Sequence, residues 1–115
     1  MTKQLEKDRV SIIISSYLQE IRQALGKDYV EAVVYGSFAR DEYTKESDID
    51  IAIFTERKPE EFYLLVNQIA EITFEYNVEY DVILSPVFQN VSLFDRMLKA
   101  VPYYQSIKRE GISFG

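Results

Sequence analysis

Two aspartates stand two residues apart in the stretch "DIDIAIF", Asp48 and Asp50, with Ile49, Ile51 and Ile53 interleaved. In a strand, residues i and i+2 project from one face, so the spacing sets both carboxylates one way and the isoleucines the other. Two like charges about 7 Å apart on one face repel, and a divalent cation between them reverses that cost. Taken alone, the alternation is better read as a solvated sheet face. The residues upstream shift the balance. Gly36 and Ser37 end the apolar run "YVEAVVYG", and a Gly at the end of a buried strand lets a phosphate approach the backbone closely. Ser37 adds a hydroxyl, and the N–H groups of the short turn after it can face an anion. With Arg40 close behind, phosphate-binding groups stand beside metal-binding groups. A calcium loop is the competing use of two spaced aspartates; here Ala52 occupies the third ligand position and the required turn glycine is missing.

A third acid, Asp81, lies in "YDVIL", flanked by apolar residues on a stretch that reads as a strand able to pair beside the second. Glu79 shares its face by alternation and is the local rival for any role given to Asp81. Three carboxylates around a Gly-Ser turn fit one reaction class best. Two hard cations about 3.5–4 Å apart clamp a triphosphate, one activating an attacking hydroxyl and the other holding the departing pyrophosphate. Asp81 could take the proton or ligate the metal that acidifies the hydroxyl. The protein then contributes positioning and charge neutralisation.

Composition narrows the chemistry further. The 115 residues, 47% of them apolar, fit one domain spanning 1–115. There is no Cys, which excludes disulfides and thiolate zinc sites, and no His, which removes the commonest general base and soft-metal ligand. Any metal must be held by oxygen, which points to magnesium, manganese or calcium. A formal charge of −6 argues against sequence-independent binding to nucleic acid, whose affinity comes from phosphate neutralisation. No apolar run reaches the length of a membrane span, and "MTKQLEKDRV" carries no signal-like apolar core, so the expected setting is the cytoplasm. A partner protein, or a nucleotide carried with its own metal, is the expected ligand.

The elements that must position these groups follow from periodicity. Val10, Ile14, Leu18, Ile21 and Leu25 make one stripe of a helix from Lys3 to Leu25, stopped by Gly26. "YVEAVVYG" and "DIDIAIF" read as strands. Pro59 with Glu60 and Glu61 starts a second helix, whose stripe is Phe62, Leu65, Ile69 and Ile72 and whose end is expected near Asn77. "VEYDVIL" is read as a third strand, closed by Ser85-Pro86. Ser92 to Val101 is expected to be helical, with Ser92 and Asp95 in capping-box relation, and "PYYQSIKREG" gives a last helix. Tyr103 and Tyr104 are read as packing of that tail. The order predicts an α/β (α+β) domain with a small mixed sheet flanked by helices.

The pattern Gly36-Ser37, ten residues, then Asp48-x-Asp50, with Asp81 beyond an intervening helix, resembles the nucleotidyltransferase superfamily of DNA polymerase beta. It is most similar to the minimal nucleotidyltransferase branch of that superfamily. The resemblance implies that Gly36 and Ser37 hold the β- and γ-phosphates of ATP, that Asp48 and Asp50 ligate Mg²⁺, and that Asp81 ligates the catalytic metal of a two-ion site and helps deprotonate the acceptor. Arg40 sits where the family's Gly-Ser-x-Ala-Arg turn has its Arg, which implies a contact to a phosphate or a partner. Many relatives follow that Arg with Gly, whereas Asp41 and Glu42 follow it here. Proteins of this branch act beside a HEPN-domain ribonuclease, so the resemblance implies an antitoxin in a hetero-oligomer that moves AMP from ATP to a tyrosine hydroxyl of the toxin. Transfer to a small molecule or RNA, and non-catalytic neutralisation of the partner, are the alternatives.

Overall fold

The stripe of the first segment is buried as its spacing requires. In a computed structural model, which describes residues 2–115, helix α1 spans Lys3–Leu25, with Val10, Ile13, Ile14, Tyr17, Leu18, Ile21 and Leu25 buried. Thr2 caps it, its Oγ1 accepting from the Leu5 N–H at 3.2 Å. Strands β1 (Glu31–Tyr35) and β2 (Ile49–Thr55) follow. A 3₁₀ turn at Pro59–Glu61 leads into α2 (Phe62–Tyr80), which crosses over to β3 (Leu84–Asn90). Two short helices, α3 (Val91–Met97) and α4 (Pro102–Glu110), precede the two-residue β4 (Ile112–Ser113).

The sheet order is β3-β2-β1-β4, with β1 antiparallel to both β2 and β4, and β2 parallel to β3. This is the expected α+β mixed sheet, covered on both faces. Ile49, Ile51 and Ile53 pack with Ala32 and Val34 against α1 and α2. Ala52 and Phe54 point the other way, into a smaller cluster with Phe94 of α3 and Ile107 and Tyr104 of α4. The alternation along β2 is thus spent on two cores. Tyr17 ties α1 to α2 through a 2.7 Å bond to the Thr73 hydroxyl, and burial pushes its phenol up to about 12.

Three local expectations change. The segment 78–84 does not form a strand: α2 continues to Tyr80, and β3 begins only at Leu84. The stripe of Leu65, Ile69 and Tyr76 keeps the helix anchored to the core, and this tertiary burial outweighs the β-propensity of Val78 and Tyr80. Asp81 instead caps the helix at φ 53, in the left-handed region that Asp tolerates better than most residues. The end is sealed by Asn77, whose Oδ1 accepts from the Leu84 N–H at 2.8 Å. Ser85-Pro86 does not close the strand but lies inside β3, which a proline allows because β3 is an edge strand. The cap of α3 is Asn90, accepting from the Leu93 N–H at 2.8 Å, rather than Ser92, and the helix ends at Met97 rather than Val101. The last helix is where expected, but β4 after it has no period for a pattern to reveal.

The Asp81 side chain is 83% exposed and its one ion-pair partner, Lys45, is 3.6 Å away, a contact that contributes little in water. Asp81→Gly removes the left-handed cost and is expected to stabilise the chain by up to about 1 kcal/mol. An unchanged or lowered urea midpoint would show that the carboxylate holds the fold.

Candidate active site

The β1–β2 register pairs Tyr35 with Asp50, so the chain leaves the ladder at Gly36 directly beside that carboxylate. Gly36 has φ 76, and a Cβ built there would lie 2.3 Å from Asp50 Oδ2. Glycine is demanded twice, by backbone conformation and by contact. The next residues wind into one helical turn. The Arg40 N–H donates to the Gly36 carbonyl at 3.1 Å and the Glu42 N–H to the Ser37 carbonyl at 2.8 Å. Phe38, 1% exposed, anchors the turn in the main core. Asp41 closes it at φ 60, adopting the left-handed conformation that favours Gly, and its carboxylate pairs with Lys7 of α1.

The turn and the aspartate pair share an open cleft of about 580 Å³ on the sheet face away from α1 and α2. Gly36, Ser37, Arg40, Asp48 and Asp50 all line it. Asp50 is half-buried, and its carboxyl is pushed above the ordinary carboxylate range, first by burial and then by the charge of Asp48, with Arg40 opposing. Asp48 is exposed. Among the described residues neither acid forms an ion pair. Arg40 is not free in the same way: its guanidinium is held by Glu42 at 2.9 Å and by Glu110 of α4 at 3.4 Å. A hollow of similar volume, about 560 Å³, opens at the start of α1 but includes none of these groups.

Asp81 does not line this cleft, and among the described residues no three acids come close enough together to hold a metal ion. Glu79, its rival, is exposed on α2. Across the parallel pair it is Ser85 that stands opposite Asp50. The structure therefore brings together the Gly-Ser turn and two of the three expected acids. The donor set suits a hard divalent cation, which takes one or two carboxylates and completes its shell with phosphate oxygens and water. Six further residues line the cleft without having been expected there: Tyr35, Glu46, Ser47, Tyr103, Ser106 and Glu110. Tyr35 shares the face of Asp50 by the alternation of β1, a signal that was available. Tyr103 arrives from α4 by tertiary packing, its hydroxyl 2.8 Å from that of Tyr35. Burial, and then the bond to Tyr103, raise the Tyr35 phenol.

A mixed four-stranded sheet with an acid pair at the start of a central strand, beside a glycine-serine turn, defines a phosphate-handling α+β domain of the nucleotidyl-transfer type. The chain belongs to the nucleotidyltransferase domain family, whose model matches residues 14–109, and it is a nucleotidyltransferase. It is 26% identical over 92 residues to the "Putative protein adenylyltransferase MJ0141" of Methanocaldococcus jannaschii, covering 80% of this chain and 91% of that protein. It is 24% identical to a second protein of that organism, "Putative protein adenylyltransferase MJ1305", over 72% of this chain and 56% of the other. In fold it is similar to a crystal structure described as a "putative nucleotidyltransferase" from Sulfolobus solfataricus, with a TM-score of 0.67 at 15% identity over 98% of this chain and 86% of that one.

Gly36→Ala is expected to abolish nucleotide binding and lower Tm, because Asp50 must move aside; calorimetry and ATP titration check both. Asp50→Asn carries the opposite sign for stability. A raised folded-state pKa means that the ionised carboxylate opposes folding above that pKa, and the opposition fades as pH falls below the ordinary carboxylate range. The variant is expected to melt above the parent at neutral pH, with the difference shrinking toward pH about 3. An Asp50→Asn chain that melts below the parent at pH 7 would contradict this assignment.

Proposed function

We propose that this nucleotidyltransferase moves AMP from ATP to a tyrosine hydroxyl of a partner HEPN-domain toxin and so acts as its antitoxin. The observation that carries the reading is Asp48 and Asp50 together in one open cleft against the Gly36-Ser37 turn, neither in an ion pair among the described residues. The likeness to two proteins named as protein adenylyltransferases supports a protein acceptor.

In this reading the Gly36-Ser37 turn receives the β- and γ-phosphates, and the acceptor oxygen forms a bond to the α-phosphorus as the bond from that phosphorus to pyrophosphate breaks. The hydroxyl proton passes to a carboxylate. Asp48 and Asp50 would hold Mg²⁺, whose chemistry there is to neutralise triphosphate charge and acidify the attacking hydroxyl. Glu46 and Glu110 also line the cleft, so four acids face a single Arg40 that two carboxylates already hold. A triphosphate with about four negative charges enters such a cleft only with its own counter-cations. Asp81 is proposed as the third acid. Positions 81, 83 and 85 alternate, and Ser85 stands in register with Asp50, so residues 81–83 drawn into the ladder would turn Asp81 toward the pair. Arg40 would reach a phosphate by exchanging Glu110 for it.

Labelled ATP with Mg²⁺ and the product of the neighbouring gene tests the reading. Label is expected on a tyrosine of that product, lost by at least about a thousandfold in Asp48→Ala or Asp50→Ala, and absent with EDTA. Asp81→Asn is expected to slow transfer while leaving ATP affinity nearly unchanged. Neutralisation of the partner that persists in both aspartate variants without label would refute the transfer.

A further inference from the structure

The acidity of this chain is confined to one segment. Residues 59–95 hold seven acids and no Lys or Arg, whereas the other 78 residues hold 12 acids against 13 Lys and Arg. Most of that segment is α2 and β3, and α2 presents an outer face at odds with solvent. Val66, Phe74 and Val78 are 48%, 59% and 69% exposed, and with Ala70 they form a stripe at four-residue spacing. Together with Pro86 of β3 they line an open, apolar groove. Glu71, Glu75 and Glu79 run beside the stripe, each one residue further around the helix. Among the described residues none of the three forms an ion pair, and at four-residue spacing they repel each other.

We infer that this face docks a partner protein through an amphipathic helix whose apolar stripe is flanked by Lys and Arg. Such a helix covers Phe74 and Val78 and neutralises the glutamate row in one contact. A second copy of this chain is the wrong occupant, because a two-fold contact would set acid row against acid row. An anionic lipid surface or a nucleic acid meets the same repulsion. Strand addition along β3 is interrupted by Pro86, which has no N–H to donate, so the contact is made by side chains. The face lies on the α1–α2 side of the sheet and leaves the nucleotide cleft open. The inference stands apart from the transfer reaction and does not require it.

The probe is a fluorescent helical peptide of about three heptads, Leu at the core positions and Lys at their flanks, with a counterpart bearing Glu for Lys. Titrated into the full-length chain at about 0.15 M salt, the Lys peptide is expected to bind at least about tenfold tighter than the Glu peptide. Its amide shift changes should map to α2 and to the residues around Pro86. Phe74→Ser with Val78→Ser should weaken it by about tenfold or more with the Tm retained, since both side chains are exposed. Glu75→Lys with Glu79→Lys should reverse the preference, a readout that does not depend on the apolar substitutions folding. Failure of the Lys peptide to bind, shifts centred on Asp48 and Asp50 instead of α2, or binding indifferent to both double variants would overturn the inference. So would a concentration-dependent dimer abolished by Phe74→Ser, which would assign the face to a second copy.

Discussion

The site depends on one register. Pairing Tyr35 with Asp50 delivers Gly36 against the Asp50 carboxylate, and only a residue without a Cβ can stand there. A slip of one residue would turn Asp50 into the layer of Ile49, Ile51 and Ile53 and bring an isoleucine to the cleft. The two cores prevent that slip: the isoleucines need α1 and α2, while Ala52 and Phe54 need Phe94 and Ile107 on the other side. A strand buried on both faces along most of its length has no alternative register, and the acid pair inherits that rigidity. Asp50 is held by backbone pairing, with Asp48 just ahead of the strand, and neither has an ion-pair partner among the described residues.

The cost of that arrangement is local. Asp50 gives up part of its hydration beside a like charge, and its raised pKa records the penalty. Arg40 softens it only in part. The nearest cation, Arg40, is drawn toward Glu42 and Glu110, so the loop is joined to α4 rather than to the aspartates. This link, together with the Tyr35–Tyr103 hydroxyl pair, makes the C-terminal helix one wall of the cleft. The short β4 keeps that wall in place by pairing Ile112 and Ser113 with β1. A tail that reads as mere packing in the sequence is therefore part of the site's shape.

How much was legible follows from the kind of signal each residue carries. The long helix α1, strands β1 and β2, and the placement of Asp48 and Asp50 opposite the isoleucines rest on periodicity, a local property, and the structure repeats them closely. The Gly-Ser turn was legible because glycine is needed for both φ and contact. The end of α2 was not. Val78, Tyr80 and Val82 look like strand residues, and only the burial of Tyr76 and the capping by Asn77 decide for helix. Tyr103 and Glu110 reach the cleft from a helix whose docking is set by Phe94 and Tyr104 across sequence distances that no local pattern spans.

Two aspartates in this chain adopt the left-handed conformation, and their energetics differ. Asp41 recovers its cost: its carboxylate binds Lys7, fastening the phosphate turn to α1, so a glycine there would relieve strain but lose the tie. Asp81 recovers almost nothing, since Lys45 is distant for an ion pair and both side chains are largely exposed. Its backbone also needs no Asp, because glycine or asparagine ends a helix in this way at lower or equal cost. Folding thus explains an aspartate at 41 and leaves the one at 81 without a structural reason. The residue stands at the junction of α2 and β3, on the alternation that leads through position 83 to Ser85 beside Asp50. That asymmetry, rather than proximity, is the ground of the proposal made above for the Asp81 carboxylate.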